Sequence, residues 1–367
     1  MVYRKEIQMF GLLFFFLFLV LRLGTDGIQG LSDDNYGSST CNFPAVFNFG
    51  DSNSDTGGIS AAFYPIGVPN GETFFGKPSG RACDGRLIVD FMAEELGITY
   101  LRAYLDSLGL SSFKTGANFA TGGSSIRQPG FSPFHLDVQI SQFRQFKARV
   151  IDIANSTQGK SDLPKPEDFS KALYTLDIGQ NDLSYTLQTT SETETRAAIP
   201  IILDLFSTAL QQLYNEGARV FWVHNTGPIG CLPSFSKNYT PGDLDKNGCV
   251  VRLNEIAQEF NRQLKSKLTQ LKANLTGVAF AYVDAYTAKY NLINSAESQG
   301  FVDPLDFCCC NRKIVGTPYY GPCAHPEKHI SWDATHYSEA ANRWVVNYIL
   351  NDSMADPPIA IYQACHA

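Results

Sequence analysis

Short apolar runs alternate along this chain with longer amphipathic stretches, and that alternation constrains its fold more than any other feature. β-Branched and aromatic runs occur at residues 46–49, 98–105, 117–120, 172–178, 219–225 and 279–285. Helical patterns occupy 86–96, 136–153, 197–215, 253–275 and 339–350, with Gly217 just beyond the end of the third. Strands that alternate with helices pair in parallel through right-handed crossovers, so the pattern predicts an α/β architecture. Two stretches break the rhythm: a Pro/Gly-rich loop at 64–85 and a charged, proline-containing linker at 156–168. A length of 367 residues allows one large domain or two, but there is no internal repeat and no interior low-complexity tract. The expectation is one α/β domain with long loops over residues 31–367.

The amino terminus reads differently. A basic start, Met1-Val-Tyr-Arg-Lys-Glu6, precedes an apolar stretch at 9–21 that is shorter than the ~20 residues needed to span a bilayer. It fits a signal peptide over residues 1–30, cleaved between Gly24 and Gly30. No second apolar stretch is long enough for a membrane helix, so no transmembrane anchor is expected after cleavage. Secretion predicts that most of the nine cysteines are bridged. Cys231 and Cys249 bracket a polar loop, the run Cys308-Cys309-Cys310 lies near Cys323, and Cys41 and Cys365 would pair if the termini meet. An odd count leaves one thiol over, and Cys83 is the candidate. Asn-x-Ser/Thr sites at Asn155, Asn238, Asn274 and Asn351 agree with an extracellular or cell-wall location. The net charge of −7, from 29 basic and 36 acidic side chains, and the lack of any Lys/Arg-rich run argue against a nucleic-acid partner.

The chemistry begins where the first run stops. In Val46-Phe-Asn-Phe-Gly-Asp-Ser-Asn-Ser-Asp-Thr-Gly-Gly58 a strand breaks at Gly50, which puts the Ser52 hydroxyl at the carboxyl end of a sheet. Open α/β folds keep their ligand sites there. A serine hydroxyl is a weak nucleophile and needs a base whose tautomer is fixed. Ser331-Trp-Asp-Ala-Thr-His-Tyr-Ser338 offers both, with Asp333 three residues before His336. Asp333 could equally cap the helix that follows. Two turns after other strands, Gly116-Ala-Asn-Phe-Ala-Thr-Gly-Gly-Ser124 and Asp177-Ile-Gly-Gln-Asn-Asp182, should reach the same sheet edge. A glycine amide and an asparagine side chain are suitable donors to an oxyanion.

Together the Gly50-Asp51-Ser52 block, the Asn118 to Gly123 segment, Gly179-Gln-Asn-Asp182 and Asp333-Ala-Thr-His336 resemble the four blocks of the plant GDSL esterase/lipases, a branch of the SGNH hydrolases. The resemblance runs from about Phe43 to Ile349. It implies a flavodoxin-like α/β/α sandwich with a five-stranded parallel sheet and a carboxylic-ester hydrolase that needs no cofactor or metal. It implies Ser52 as nucleophile, His336 as general base, Asp333 as its orienting carboxylate, and the Ser52 amide, Gly123 and Asn181 as oxyanion donors. Gly122 is the adjacent alternative to Gly123. The substrate would be a small-molecule or lipid ester. The first block reads Gly-Asp-Ser-Asn, a variant within the plant branch, while Cys83 and the dense Cys308–Cys310 run depart from the pattern.

Other chemistries fit less well. Gly122-Gly-Ser-Ser-Ile126 lacks the last glycine of a nucleophile elbow. His325-Pro-Glu-Lys-His329 is not His-Glu-x-x-His, and Pro326 disfavours a helix there. A zinc site among the nearby cysteines competes with disulfides, and His224 reads as a packed histidine at a strand end. Three alternatives share the chain: an acyltransferase using the same residues, a glycosidase with Asp51 and Asp333 as its carboxylates, and a defence or binding protein without turnover.

Overall fold

The computed structural model describes residues 40–367 apart from 107, 109–111, 157–161, 237–238, 311, 315–316 and 320. The signal-peptide region and Asn238 lie outside the described residues.

In chain order the elements are β1 (Val46–Gly50), α1 (Gly58–Ala62), α2 (Glu72–Phe75), α3 (Ile88–Glu95), β2 (Gly116–Asn118) and α4 (Leu136–Ser156). They continue with β3 (Leu173–Asp177), α5 (Gln180–Thr189), α6 (Glu192–Asn215), β4 (Val220–His224), α7 (Pro233–Ser236) and α8 (Val251–Asn274). The last are β5 (Ala279–Val283), α9 (Ala285–Asn294), the hairpin β6 (Arg312–Ile314) and β7 (Thr317–Tyr319), α10 (Glu339–Ile349) and β8 (Ala355–Asp356). The main sheet has the order β2-β1-β3-β4-β5-β8. Its first five strands are parallel, in register from Val46 opposite Gly116 and Leu173 through to Val220 opposite Ala279.

Strand side chains alternate between two cores, as the twofold period of a strand dictates. Phe47 and Phe49 enter the core shared with Phe143 of α4, Leu203 of α6 and Phe260 of α8. Phe47 and Phe143 meet edge-on at 5.2 Å, and Phe49 stacks on Phe119 at 5.3 Å. Val46, Leu173, Val220 and Trp222 point the other way, against Ile88 of α3, Leu292 of α9 and Val345 of α10. The result is the expected three-layer α/β/α sandwich with five parallel strands. Among the described residues one helix, α6, is long and apolar enough to cross a membrane, but its Ile199, Leu203 and Leu210 are fully buried in the first core. Because β2 lies on one side of β1 and β3 on the other, the strand order reverses at β1. Loops leaving β1 and β3 therefore diverge and open a crevice at their carboxyl ends.

Four local expectations change. Residues 98–105 form no strand; they follow the free edge of β2 through two hydrogen bonds, Tyr104 N–H to Asn118 O and Asn118 N–H to Arg102 O, both 2.7 Å. The Gly179 turn is only two residues long, Ile178 and Gly179, because Gly179 at φ 125° caps helix α5 directly. Helix α6 begins at Glu192, before the apolar periodicity is visible, because Ser191 and Glu194 form a reciprocal capping box. A sixth, two-residue strand, β8, adds antiparallel to β5. The disulfide expectations hold: Cys41–Cys365, Cys231–Cys249 and Cys308–Cys323 are bridged, and Cys83 is free and buried. Cys309 and Cys310 are paired as well.

Candidate active site

The crevice at the β1/β3 switch point holds the residues that the sequence placed there. Ser52 follows β1 in a turn held by Asp51, whose Oδ1 accepts from both the backbone and side-chain N–H of Asn53. His336 lies in a tight loop ahead of α10, and the cap of that helix is Ser338 rather than Asp333. Asp333 is thereby left for the histidine. Its Oδ1 accepts from the amides of Thr335 (2.8 Å) and His336 (2.7 Å), and its Oδ2 lies 2.7 Å from His336 Nδ1. On the far side of the ring, His336 Nε2 is 2.8 Å from Ser52 Oγ. Hydroxyl, imidazole and carboxylate are thus hydrogen-bonded in series, a chain able to pass a proton from Oγ to the ring and to stabilise the resulting imidazolium.

The donors facing this hydroxyl are set by what their neighbours consume. Gly122 N–H is spent on Asp55 Oδ2 at 2.8 Å. Gly123 takes φ +75°, and a Cβ there would come 3.2 Å from Ser132 and 3.3 Å from Phe131, so the position needs glycine. One N–H of the Asn181 amide donates to Ser124 O at 2.9 Å, which fixes the plane of the group and leaves its second N–H unspent. Ser52, Gly123 and Asn181 all line one cleft of about 660 Å³ together with His336. That volume is in the range of small-molecule sites.

The comparisons with known proteins give the family. The model of the GDSL-like lipase/acylhydrolase family matches residues 46–349. The chain belongs to the GDSL lipase/acylhydrolase family. A GDSL esterase/lipase of Arabidopsis thaliana is 51% identical, covering 95% of this chain and 96% of its own. One of Zea mays is 48% identical over 89% and 90%, and an Arabidopsis thaliana protein named alpha-L-fucosidase 3 is 46% identical over 84% and 90%. This GDSL protein is a serine ester hydrolase of the plant branch of the family.

Electrostatics in the GDSL site oppose burial with charge. Burial disfavours the His336 imidazolium, but the Asp333 carboxylate, by charge and hydrogen bond, and the charge of Asp51 together hold its pKa above the ordinary 6.5. Burial likewise raises Asp333, and the charge and hydrogen bond of His336 with the two loop amides outweigh it, so the carboxyl titrates below 3.8. Asp51 is almost fully buried with Oδ2 unpartnered. Burial and the neighbouring charge of Asp177 push it up to about 7 against the pull of the Asn53 amide, His336 and Lys289.

Several supporting residues were given no role in the sequence reading. Gln139 of α4 clamps Gly50, accepting from its N–H (3.0 Å) and donating to its O (2.8 Å). Asn48 of β1 donates to Asn118 Oδ1 at 2.8 Å and accepts from Thr175 at 2.7 Å, which ties the first three strands together beneath the site. Asp182 receives the amides of Ile126 and Arg127 (2.8 and 2.9 Å), anchoring the loop that carries Gly123 to the helix that carries Asn181. A buried polar residue inside a strand or on an apolar helix face was the available signal for Asn48 and Gln139. His224 is packed as expected, accepting from Trp222 Nε1 at 3.1 Å and facing Asp177 at 3.4 Å.

Proposed function

We propose that Ser52 is the nucleophile of this hydrolase, His336 its general base and then acid, and Asp333 the residue that orients the ring. In this reading His336 Nε2 takes the Ser52 proton as Oγ attacks the ester carbonyl. The developing oxyanion meets Ser52 N–H, Gly123 N–H and the unspent N–H of Asn181. His336 then protonates the departing alkoxide, leaving an acyl-enzyme that water hydrolyses with the ring again as base. A single oxyanion donor in a comparable site is worth about 3–4 kcal/mol.

The observation that carries the reading is the unbroken series from Asp333 Oδ2 through His336 to Ser52 Oγ, at 2.7 and 2.8 Å, opening into the cleft. Substituting Ser52→Ala is expected to abolish hydrolysis of a short p-nitrophenyl ester while leaving the thermal unfolding curve unchanged. Turnover at the native rate would refute it. A two-carboxylate glycosidase finds no support in this chain, because Asp51 is buried and neither it nor Asp333 lines the cleft.

The reading extends to a secreted ester hydrolase acting on small-molecule or lipid esters, with residues 1–30 removed and no nucleic-acid partner. Its support is the sequence of the amino terminus, the disulfides and the exposure of Asn155, Asn274 and Asn351.

A further inference from the structure

The reaction fixes which half of an ester meets each side of the cleft. His336 must protonate the leaving alkoxide, so the alcohol lies on the His336 side. Ser234 is bound to that side by its amide, which donates to Ala334 O at 3.0 Å, and Thr335, Leu232 and Phe235 line the cleft with it. The acyl chain has to leave the carbonyl in another direction. The α5 wall is polar, since Asn181, Ser184 and Gln188 share one helical face toward the cleft. The remaining wall is mostly apolar, with Asp55 and Ser132 as polar members. Ile59 Cβ lies 3.3 Å from where a Gly122 Cβ would stand and Phe131 Cβ equally close to that of Gly123, so both flank the glycine pair that carries the proposed donor. From there the wall runs on through Phe63, Tyr64, Ile66 and Pro133.

These aromatic rings are held but not covered. Phe63 stands edge-on to Phe134 at 5.6 Å and Phe131 to Tyr185 at 5.3 Å. Yet Phe63, Tyr64 and Phe131 remain 56%, 61% and 49% exposed. Exposed apolar surface rimmed by polar groups beside a reacting centre marks a ligand groove. A ligand that covers these rings gains the burial that the fold leaves unused.

We propose that this wall is an acyl-binding trough, and that the enzyme selects esters of medium-length or aromatic carboxylic acids over acetyl esters. The proposal rests on the assignment of Ser52 and His336 above. Each methylene that enters the trough is worth about fourfold in transition-state binding. Phe63 and Phe131 determine the selectivity, and the Pro/Gly-rich loop after α1, which carries Tyr64 and Ile66, completes it.

The test is a series of p-nitrophenyl esters with a constant alcohol, from acetate through butyrate and hexanoate to benzoate and palmitate, on the full mature chain. The expected result is a kcat/KM at least about tenfold higher for hexanoate than for acetate, if several methylenes bind. In Phe63→Ser and Phe131→Ser that ratio falls several-fold, and both residues are exposed enough for the variants to fold. Ile201→Ser, on the exposed face of α6, leaves the ratio as in the native protein. Acetate turned over as well as hexanoate, a ratio unmoved in both Phe variants, or activity confined to micellar palmitate overturns the proposal. A fluorophosphonate probe keeps the two readings apart. Label on Ser52 without chain-length preference defeats only the trough, whereas no label on Ser52 defeats the assignment beneath it.

Discussion

Asp333 serves His336 in two ways that a single substitution separates. It holds the ring through Nδ1 and, with its charge, keeps the imidazole more basic than usual. The base must be neutral to accept the Ser52 proton, so activity is lost as pH falls through the raised pKa of His336. The acid limb of kcat/KM should therefore lie above 6.5. In Asp333→Asn that charge is gone and only Asp51 still opposes burial, so the limb is expected to move to lower pH while kcat falls about 10⁴-fold from the wrong tautomer. A pH–rate profile of the variant checks both; an unmoved limb would contradict the assigned cause. Gly122 and Gly123 teach a related lesson at the same scale. Their order in the sequence leaves the donor open, and only the Gly122 hydrogen bond to Asp55 distinguishes them.

At the scale of elements, the site is built from the ends of β1 and β3, the start of α5 and the loop before α10. The amphipathic helices α4 and α8 were legible because an apolar face repeats at helical spacing over many residues. Helix α5 was not, because its cleft-facing residues Asn181, Ser184 and Gln188 are polar and break that period. Residues 98–105 mislead in the opposite way. Leu101 and Ala103 are buried like strand residues, but the segment docks on a sheet edge without a continuous ladder. Gln139 joins α4 to β1 at the residue where the strand breaks. Replacing it by leucine leaves the buried Gly50 N–H without a partner, at about 1–3 kcal/mol, while Gly50 O keeps the Thr121 N–H. The expected outcome for Gln139→Leu is a lower denaturation midpoint with a parallel fall in kcat, read by urea unfolding and ester turnover. Native stability would remove Gln139 from the support of the site.

For the molecule as a whole, the cysteines connect fold to compartment. Cys41–Cys365 joins the described amino-terminal end to the carboxyl terminus across a separation of 324 residues. Cys41 precedes β1, and so lies at the sheet end away from the crevice. Bridges of this kind persist in oxidising surroundings. Expressed with its leader in a plant cell, the protein is expected in the medium, cut between Gly24 and Gly30, with Cys83 as its one titratable thiol. Amino-terminal sequencing and thiol titration under denaturing conditions test this, and recovery of the uncut chain inside the cell would refute it.

By itself the sequence determined the class of fold and pointed to residues that the structure gathers around Ser52. Strand and helix periods are local, and Ser52, Gly123, Asn181, Asp333 and His336 stand in blocks whose residue types suit one chemistry. The tertiary structure decided what depends on neighbours far apart in the chain. That includes which glycine amide is free, how Asn181 is oriented by Ser124, and how Gln139, 89 positions away, clamps the strand that ends at Ser52. It also decided that aromatic residues of two separate loops line one cleft beside Gly122 and Gly123. Long-range pairing sets these features, because a hydrogen bond or a ring contact is chosen by space rather than by sequence interval.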